Sequence, residues 1–326
     1  MSNFLKNLRL FLPKRMVGVD IGTSAIKIVE VSHWGHGKTL ENYGQITSGA
    51  IYKDSPLAIE RSSRVLASDF VPLAIKGILE EAKIKTKEAI FSIPDFYTFC
   101  TSFDIPPMPE NEIAGAVQYN ASQYVTLPIK EVTLDWQIIS GNPGGSTPLK
   151  IFLVAVPNQV IQEYQAIAKN AGLELYAMEA EATAIARALV KNNKKTVCVM
   201  DIGVQSSTVN IVDAGILKRS YSFNFQSAKP GDLEFWAAPL VMELKNISAE
   251  FLQSEQKQVE EYYITGGTAN LPGLQDYLTK ALGKTVVVPN CFADFLYPPI
   301  LESKLRQMAP SFSAAIGVAL GGLEIP

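Results

Sequence analysis

The sequence predicts an α/β fold built from two related lobes, and three observations support this. Residues 16–32, MVGVDIGTSAIKIVEVS, are two apolar strands interrupted by Asp20, Gly22 and two hydroxyl residues. The same pattern returns at Asp201, in TVCVMDIGVQSSTVNIVDAG. Segments with helical periodicity alternate with segments of strand character between the two copies. A strand–turn–strand unit that occurs twice within an α/β pattern predicts two α/β halves that face each other.

The first lobe begins with the first copy of this unit. Residues 16–31 form two strands around a tight turn at 22–24, and TLENYGQITSG forms a third strand that runs into a turn. Residues 57–83 carry apolar side chains at helical spacing, and EAIFSIP is a short buried strand that ends at Pro94. The predicted order is therefore three strands, a helix and a further strand.

Residues 97–157 have a different pattern. They are predicted to form a strand, a helix, a strand, a Gly/Pro-rich turn (GNPGGSTP) and a last strand. The helix begins at Pro109 and carries Glu110 and Glu112 in its first turn, where the helix dipole favours negative charge. A block of this size and order is expected to be a small inserted subdomain.

The rest of the chain returns to the α/β pattern. Asn158 caps a helix that Gly172 ends, and a strand (LELYAME) and a helix (AEATAIARALVKN) then precede the second hairpin. A polar helix around residues 240–258, a strand (VEEYYIT), a glycine turn, a helix near LPGLQDYL and a strand (KTVVVPN) follow. The final SFSAAIGVALGGL is predicted to be a helix. Its Gly317 costs about 1 kcal/mol relative to alanine, which suggests close packing on a neighbouring backbone.

Composition excludes several classes of function. The chain of 326 residues has a net charge of −3 and no long stripe of Lys and Arg, so we expect no nucleic-acid partner. Cys100, Cys198 and Cys291 lie far apart in apolar runs, which is typical of reduced, buried thiols and not of disulfides or a zinc site. The two histidines have no cysteine nearby, so metal binding by them is not expected.

The first fifteen residues, MSNFLKNLRLFLPKR, are too short and too interrupted for a signal peptide. As a helix they would place their large apolar residues on one face and their four basic residues elsewhere. Two interpretations stay open: an amphipathic anchor at a membrane surface, or a terminal helix that packs on the body of the protein or frays. No segment reaches the ~18 apolar residues of a membrane span.

The residue types in the first turn predict one wall of a magnesium–phosphate site. Gly22 permits a tight turn whose backbone N–H groups can surround a small anion, and Thr23 and Ser24 add hydroxyl donors. Lys27 follows on the second strand as a positive charge. Because Asp20 repels a phosphate, it is explained by a divalent cation between the two, whose waters the carboxylate holds.

The second hairpin supplies the opposite wall, with an aspartate, a glycine and three hydroxyl residues in the corresponding places. A third glycine pair ends a strand shortly before a helix, an arrangement that brings backbone close to a ligand at a helix N-terminus. Each turn alone is also compatible with a plain hairpin, but the three in this order predict a shared site. The residues concerned are Asp201, Gly203, Ser206, Ser207, Thr208, Gly266 and Gly267.

One further motif, SHWGHGKT, ends like a Walker A loop but is not predicted to be one. Ser32 stands where that loop needs its first glycine, and the following LENYGQITSG has the pattern of a strand. A P-loop requires strand, loop and helix in succession. We therefore interpret the motif as a charged β-turn.

These residues resemble the actin/Hsp70 superfamily and, within it, the PilM family of actin-like type IV pilus assembly proteins. The motifs are VGVDIGTSAIKIVEV and VMDIGVQSSTVNIV for the phosphates and YITGGTANLPGLQDYL for adenosine. In addition, MPENEIAGAVQYNASQYVTLPIKEVTLDWQII resembles the inserted subdomain shared with the cell-division protein FtsA. The resemblance implies a bilobed actin-like (ribonuclease H-like) ATPase fold with an FtsA/PilM-type inserted α+β subdomain.

The resemblance also implies that ATP and Mg²⁺ bind between the lobes. Asp20 and Asp201 would order the waters of the metal ion. Glu181 falls where the superfamily often has a carboxylate that positions metal or water, so Glu181 and Asp201 are the candidate catalytic residues. Glu181 is equally well explained as an acid favoured at a helix N-terminus.

The partner implied by the resemblance is the N-terminal cytoplasmic peptide of a PilN-like inner-membrane protein, held in a groove of the inserted subdomain. Ile113, Val117 and Tyr124 share one helical face and are candidates for the groove, with core packing as the alternative. The expected protein is a cytoplasmic scaffold, peripheral to the inner membrane through this partner and in contact with other pilus platform proteins.

The sequence departs from the family pattern in the second lobe. The segment between the second turn and Gly266 lacks the longer run that helps to hold ribose and adenine, and Lys245 is a poor substitute for its lysine. We therefore expect a shortened second lobe and ATP turnover that is slow or absent. The alternatives are an active ATPase or phosphotransferase of the same superfamily, or an FtsA-like membrane-associated filament protein.

The expected domain boundaries follow from these assignments. Residues 1–15 form the amphipathic segment, 16–96 and 158–190 the first lobe, 97–157 the inserted peptide-binding subdomain, and 191–326 the second lobe, whose last helix returns to the first.

Overall fold

The computed structural model describes residues 13–35, 37–47, 70–203, 207–223 and 233–325. Within them the strands are β1 (Lys14–Ile21), β2 (Ala25–Trp34), β3 (Gly37–Thr47), β4 (Glu88–Ile93), β5 (Phe99–Ile105), β6 (Val132–Ser140), β7 (Leu149–Pro157), β8 (Glu174–Ala180), β9 (Thr196–Ile202), β10 (Ser207–Asp213), β11 (Ile216–Phe223), β12 (Glu261–Thr265), β13 (Thr285–Val287) and β14 (Phe295–Leu296). The helices are α1 (Phe70–Glu81), α2 (Glu110–Tyr124), α3 (Asn158–Ala171), α4 (Glu181–Val190), α5 (Leu233–Glu255), α6 (Leu274–Leu282) and α7 (Glu302–Glu324).

The first sheet has the strand order β14-β3-β2-β1-β4-β8. Strands β1, β2 and β3 are antiparallel neighbours, and β4 and β8 continue the sheet in parallel with β1. One face is covered by α1 and α3, and the other by α4 and α7. The turn predicted at residues 22–24 joins β1 to β2. Gly37, Lys38 and Thr39 lie in β3, which confirms that they do not form a P-loop.

The second sheet has the order β11-β10-β9-β12-β13. Here β9, β10 and β11 are antiparallel neighbours, and β12 and β13 run parallel to β9. The order and strand directions repeat those of β3-β2-β1-β4-β8. Helices α5 and α6 pack on one face, and α4 packs on the other. The repeated Asp-Ile-Gly motif in the sequence therefore marks two halves of the same topology.

A third, smaller sheet has the order β5-β7-β6 and packs on α2. The strand–helix–strand–strand order predicted for residues 97–157 is confirmed. Ile113 and Val117 are completely buried between α2 and this sheet. Their assignment to a peptide groove is therefore wrong, because side chains without exposed surface cannot contact a partner. Both residues belong to the core of the subdomain.

Helices α4 and α7 cross at close range. A Cβ atom added to Gly317 of α7 would lie 2.0 Å from the carbonyl oxygen of Ala184 in α4, so the close backbone packing predicted for Gly317 is confirmed. Helix α7 begins at Glu302, well before the predicted start at Ser311, and contains Pro310, a residue that usually breaks helices. The Pro310 carbonyl accepts hydrogen bonds from Thr265 Oγ1 (2.7 Å) and Gly266 N–H (2.8 Å) of the second lobe.

Some predictions fall outside the described residues. Of the helix predicted over residues 57–83, the structure describes α1, whereas residues 57–69 are not described. The same holds for residues 1–12 of the amphipathic segment and for Ser206. Among the described helices, none combines the length and the apolar character needed to cross a membrane.

Candidate functional site

A cavity of about 360 Å³ lies between the two lobes. Its wall includes the ends of β1, β3 and β9, the turns that follow β1, β4 and β12, the start of α4 and one side of α7. Small-molecule sites in proteins commonly have volumes of about 300–1,000 Å³. The predicted site residues that line it are Asp20, Gly22, Thr23, Ser24, Lys27, Glu181, Asp201, Gly203, Thr208, Gly266 and Gly267.

The first hairpin places Asp20 of β1 directly opposite Lys27 of β2. Lys27 Nζ donates a hydrogen bond to Asp20 Oδ2 at 2.9 Å, and Ser92 Oγ donates to Oδ1 at 2.8 Å. Burial alone would lower the pKa of Lys27, but the charge and hydrogen bond of Asp20, together with Glu181 and Asp201, raise it. Lys27 is therefore protonated and bound to its own hairpin.

The first turn is built differently from the prediction. The Gly22 N–H donates to the Ala25 carbonyl at 3.0 Å, so it closes the hairpin and does not point at an anion. Gly22 also lacks a positive φ. An added Cβ at Gly22 would lie 3.2 Å from the Ala25 carbonyl oxygen. The turn is therefore too narrow for most side chains, which explains the glycine. Thr23 and Ser24 are half-buried in the cavity wall and remain as donors.

The second hairpin places Asp201 of β9 opposite Thr208 of β10. Burial raises the pKa of Asp201 to about 7, with Lys27 lowering it and Asp95 and Asp20 raising it. Ser207 is buried, and its Oγ has no hydrogen-bond partner among the described residues. Ser207 is absent from the described cavity wall because neighbouring residues of a strand point to opposite faces, and Thr208 occupies the cavity side.

The glycine turn after β12 packs closely against the second hairpin. Gly266 has a φ of 90°, and an added Cβ would lie 2.3 Å from Asp201 Oδ1 and 2.6 Å from the Ile202 carbonyl oxygen. No side chain fits there. Gly267, in contrast, faces open space. The Gly266 N–H is bonded to the Pro310 carbonyl and is therefore not a free donor, and the missing Cβ leaves room for the Asp201 carboxyl group.

Asp95, which our sequence analysis missed, also lines the cavity and is 7% exposed. Its Oδ1 accepts a hydrogen bond from the Ala182 N–H at 3.2 Å, and Oδ2 has no partner among the described residues. Burial raises its pKa to about 6, while the nearby Thr208 hydroxyl and the Ala182 N–H lower it. The sequence signal for Asp95 is its position in the motif SIPD, directly after β4. Because β4 is the parallel neighbour of β1, the two strands end at the same edge of the sheet.

Glu181 is the first residue of α4 and points into the same cavity. Burial raises its pKa well above the usual range, and the charges of Asp20, Asp201 and Asp95 raise it further, against a smaller effect of Lys27. Four carboxyl groups thus act on one another. Lys27 is the one basic side chain in the described part of the wall, so the cavity favours a bound cation.

The donor set can be tested against a magnesium–nucleotide ligand. Carboxylate and hydroxyl oxygens are the groups that hard cations prefer. No group of three His, Cys, Asp or Glu side chains in the described residues is arranged to ligate a metal directly. Mg²⁺ usually keeps several of its waters, so the unpaired Asp95 Oδ2 and the carboxylate of Asp201 fit a hydrated ion. Lys245 is exposed and does not line the cavity.

A second, apolar pocket of about 150 Å³ lies where the small sheet joins the first lobe. Phe96, Phe99 and Leu127 line it and are 46%, 38% and 42% exposed. Tyr124, the third predicted groove residue, is 41% exposed and stacks on Phe103 with ring centroids 5.2 Å apart. The other lining residues are Tyr97, Thr98, Val125, Thr126, Val132, Ala155 and Pro157.

Comparisons with solved structures found several similar proteins. A structure of a PilM–PilN type IV pilus biogenesis complex contains a chain that is 21% identical, with a TM-score of 0.80 over 95% of this chain and 99% of that chain. The ethanolamine utilization protein EutJ from Carboxydothermus hydrogenoformans is 17% identical, with a TM-score of 0.49 over 95% of this chain and 90% of that chain. A Bacteroides thetaiotaomicron protein with an actin-like ATPase fold and unknown function is 9% identical, with a TM-score of 0.49 over 94% of this chain and 99% of that chain.

The predicted fold class, a bilobed actin-like α/β fold, is confirmed by the first of these structures together with the repeated sheet order. A family model for the type IV pilus assembly protein PilM matches residues 18–226 and 232–323. These ranges include both hairpins, the small sheet and the glycine turn after β12. The chain therefore belongs to the PilM family of type IV pilus assembly proteins.

Proposed function

We propose that this protein is a scaffold of the type IV pilus inner-membrane assembly platform that binds the N-terminal cytoplasmic peptide of a PilN-like membrane protein. The observation that carries the proposal is the PilM family match over nearly the whole chain. The structural relative with a TM-score of 0.80 is itself part of a PilM–PilN complex. In this proposal the protein acts in the cytoplasm, is held at the inner membrane by its partner, and contacts other platform proteins.

The apolar pocket beside the small sheet is the proposed peptide site. Large apolar side chains that stay partly exposed around a concavity favour partner binding, because covering them removes apolar surface from water. Phe96, Phe99 and Leu127 have this property, whereas Ile113 and Val117 do not. Tyr124 lies at the end of α2, next to the pocket residue Val125, and stays in the proposed site. The domain boundaries expected from the sequence are part of this proposal, with the peptide at the junction of 16–96 and 97–157.

The test is fluorescence anisotropy with a labelled peptide copied from the N-terminus of the PilN-like partner. Leu127→Ser should weaken binding about tenfold or more, because burying a leucine contributes about 1.5–3 kcal/mol. Leu252→Ser is the matched control, since Leu252 on α5 is 39% exposed and lies outside the pocket. Absence of binding by the unchanged protein, or equal binding by both variants, would refute the proposed site.

We further propose that ATP with Mg²⁺ occupies the cavity between the lobes as a structural or switching ligand. The Mg²⁺ ion bound with ATP would supply positive charge next to Asp20, Asp95, Glu181 and Asp201. Asp20 and Asp201 would hold its waters, Thr23, Ser24 and Lys27 would donate toward the phosphates, and Gly203 and Thr208 would line the opposite side. Gly266 and Gly267 would lie beside the nucleoside.

ATP hydrolysis is the second candidate function, because Glu181 and Asp201 lie in the same cavity and are able to orient a water molecule. Their raised pKa values favour the protonated form in the free protein, which makes them poor bases until a cation lowers those values. Calorimetry with ATP and Mg²⁺, followed by a phosphate-release assay, distinguishes the two. Tight binding without release supports the scaffold, and turnover within minutes supports the enzyme. Absence of any binding would contradict the nucleotide proposal.

A further inference from the structure

The small sheet packs against the second lobe along a contact that we call the seam. Ile139 and Phe152 of the small sheet meet Val212 and Leu217 of the second sheet there, and all four are buried. Strands β5 and β11 lie side by side, but each is the edge of its own sheet, so no backbone ladder joins them in the described part of the chain. Because the seam is held through side chains, the two sheets can separate without losing their own hydrogen bonds.

The inner part of the seam contains polar groups that its apolar residues do not satisfy. Thr208 lines the cavity between the lobes, and Asn210 and Val212 follow on the same face of β10. Asn210 is completely buried, and neither its Nδ2 nor its Oδ1 has a partner among the described residues. The buried Ser102 Oγ of β5 also lacks one there. Unpaired buried polar groups oppose tight closure, since each has lost its hydration without a replacement.

The outer part of the seam is charged. Lys150 Nζ of β7 donates a hydrogen bond to Glu255 Oε1 of α5, and these side chains are 19% and 20% exposed. Arg219 Nη2 of β11 lies 3.7 Å from the same carboxylate oxygen. In the opposite direction, Lys218 Nζ of the second lobe donates to the Ile139 carbonyl of β6 at 2.8 Å. Two lysines, one from each side, therefore cross the seam.

A cavity of about 270 Å³ lies beside these charges, and Lys150, Lys218 and Glu255 line it. Solvent reaches the Lys150–Glu255 pair from this cavity, so dissolved salt screens the attraction between the two charges. Asp213 and Lys257 line the same cavity, but they pair with each other at 2.6 Å and both belong to the second lobe. One ion pair thus crosses the seam and the other does not.

We propose that Lys150 and Glu255 form an ionic clasp that keeps the seam closed, and that release of this clasp lets the second lobe separate from the small sheet while both stay folded. Short connections from β4 to β5 and from β7 to α3 tie the small sheet to the first lobe, so the clasp joins the two lobes. Arg219 remains beside Glu255 when the clasp opens, which avoids an unpaired carboxylate in the open form. The inference goes beyond the proposed function, since it concerns the free protein.

Cys100 supplies a probe of the seam within the unchanged chain. It packs against the apolar cluster of the seam, on the face of β5 opposite to Phe103. Cys198 and Cys291 are buried in two other clusters, one in the second lobe and one against the first sheet. Labelling of Cys100 alone therefore reports opening of the seam, whereas labelling of all three cysteines reports global unfolding.

The test is the rate at which methyl methanethiosulfonate labels each cysteine at pH 8, without peptide or nucleotide, as measured by peptide mass spectrometry. Lys150→Met should raise the labelling rate of Cys100 by about threefold or more. Glu255→Lys places a positive charge beside Lys150 and Arg219 and should raise it by about tenfold. Combining Lys150→Glu with Glu255→Lys should return the rate toward that of the unchanged protein. Salt at about 1 M should accelerate labelling in the unchanged protein but not in Lys150→Met.

The matched control is Lys257→Met, which removes the pair that lines the same cavity without crossing the seam. It should leave the labelling rate of Cys100 unchanged. Equal Cys100 rates in Lys150→Met and the unchanged protein, or no recovery in the charge-exchanged variant, overturn the proposal. Faster labelling of Cys198 and Cys291 together with Cys100 also overturns it, because the substitution would then act through global stability. Since no ligand is present, these results are independent of the peptide and nucleotide experiments.

Discussion

The two Asp-Gly hairpins have the same register but different electrostatic partners. In the first, Asp20 faces Lys27 and is bonded to it at 2.9 Å. In the second, Asp201 faces Thr208, and Lys27 acts on it only through its charge, so that burial raises the pKa of Asp201 to about 7. The two hairpins therefore share the same backbone geometry, but only the first places a lysine opposite its aspartate. In the first hairpin the aspartate is neutralised by a lysine of the same hairpin. In the second, the aspartate has no such lysine, and a bound cation would favour its ionisation.

The strongest test of this difference removes the lysine. Lys27→Met leaves Asp20, whose side chain is 2% exposed, without its counterion. Breaking a buried pair costs about 3–5 kcal/mol, and we expect the free energy of unfolding at pH 7 to fall by about that amount in urea titrations. The control Lys257→Met removes the pair of Asp213 with a lysine that is 56% exposed, and should cost less than about 1 kcal/mol. Equal losses would contradict the idea that the buried Asp20–Lys27 pair stabilises the first hairpin.

The next test concerns the support of Asp201 by the third turn. Gly266→Ala places a Cβ in the left-handed region of φ and against Asp201 Oδ1, so we expect a loss of about 2–3 kcal/mol in unfolding free energy. Gly267→Ala is the neighbouring control, with open space at the added atom, and should change stability by about 0.5 kcal/mol or less. If both variants unfold at the same urea concentration, the place of the Asp201 carboxyl group does not require a glycine at position 266.

The charge state of Asp201 predicts a pH dependence. Its pKa is about 7 in the folded protein and ~3.9 in an unfolded chain, so its contribution to stability is complete below about pH 4 and is lost as the pH rises through 7. Relative to the unchanged protein, Asp201→Asn should therefore gain about 1–2 kcal/mol between pH 5 and pH 8 without ligand. This is less than the full linkage value, because neighbouring carboxyl groups titrate together.

Urea unfolding at the two pH values measures this gain. Asp213→Asn, at the far end of β10, is the control, because hydrogen bonding to Lys257 and Thr196 outweighs burial and lowers the pKa of Asp213. Its stability contribution is present above the unfolded pKa and is lost only in acid, so this variant should show no relative change between pH 5 and pH 8. A parallel pH profile for Asp201→Asn and the unchanged protein would refute the assigned charge state.

The smallest expected effect concerns Thr208, the counterpart of Lys27. Thr208→Val removes a hydroxyl group that lowers the pKa of Asp95, so the pKa of Asp95 should rise further above its present value of about 6. A carboxyl ¹³C NMR titration measures this shift. Thr133→Val, which removes an exposed hydrogen bond to Asn158, is the control and should leave the Asp95 titration unchanged. An unshifted titration in Thr208→Val would show that the hydroxyl does not act on Asp95.

The hairpins and the sheet order were predictable because their signals are local. Strand alternation and a glycine turn at Gly22 are contained within a few residues, and their repetition at Gly203 indicated a second half with the same topology. Ser207 shows the limit of this reasoning. A run of hydroxyl residues suggests several donors, but a strand directs only alternate side chains toward one face.

Asp95 was missed because its role arises from contacts between distant parts of the chain. It meets the N-terminus of α4 at Ala182, 87 positions away, and Thr208 of the other lobe. Ile113 and Val117 illustrate a related limit. Helical spacing predicted that they share a face, but not that the small sheet covers it completely. Whether an apolar face is core or binding surface depends on the layer packed against it.

The crossing of α4 and α7 at Gly317 has a consequence for motion. Two backbones this close cannot slide lengthwise past each other, but they can rotate about the point where they touch. Helix α7 lies on the first sheet, while its Pro310 carbonyl holds Thr265 and Gly266 of the second lobe. Opening and closing of the cleft would therefore be a rotation about the contact between Gly317 and Ala184. A methyl group at position 317 would splay the lobes, and small-angle X-ray scattering of Gly317→Ala would detect the splaying as a larger radius of gyration.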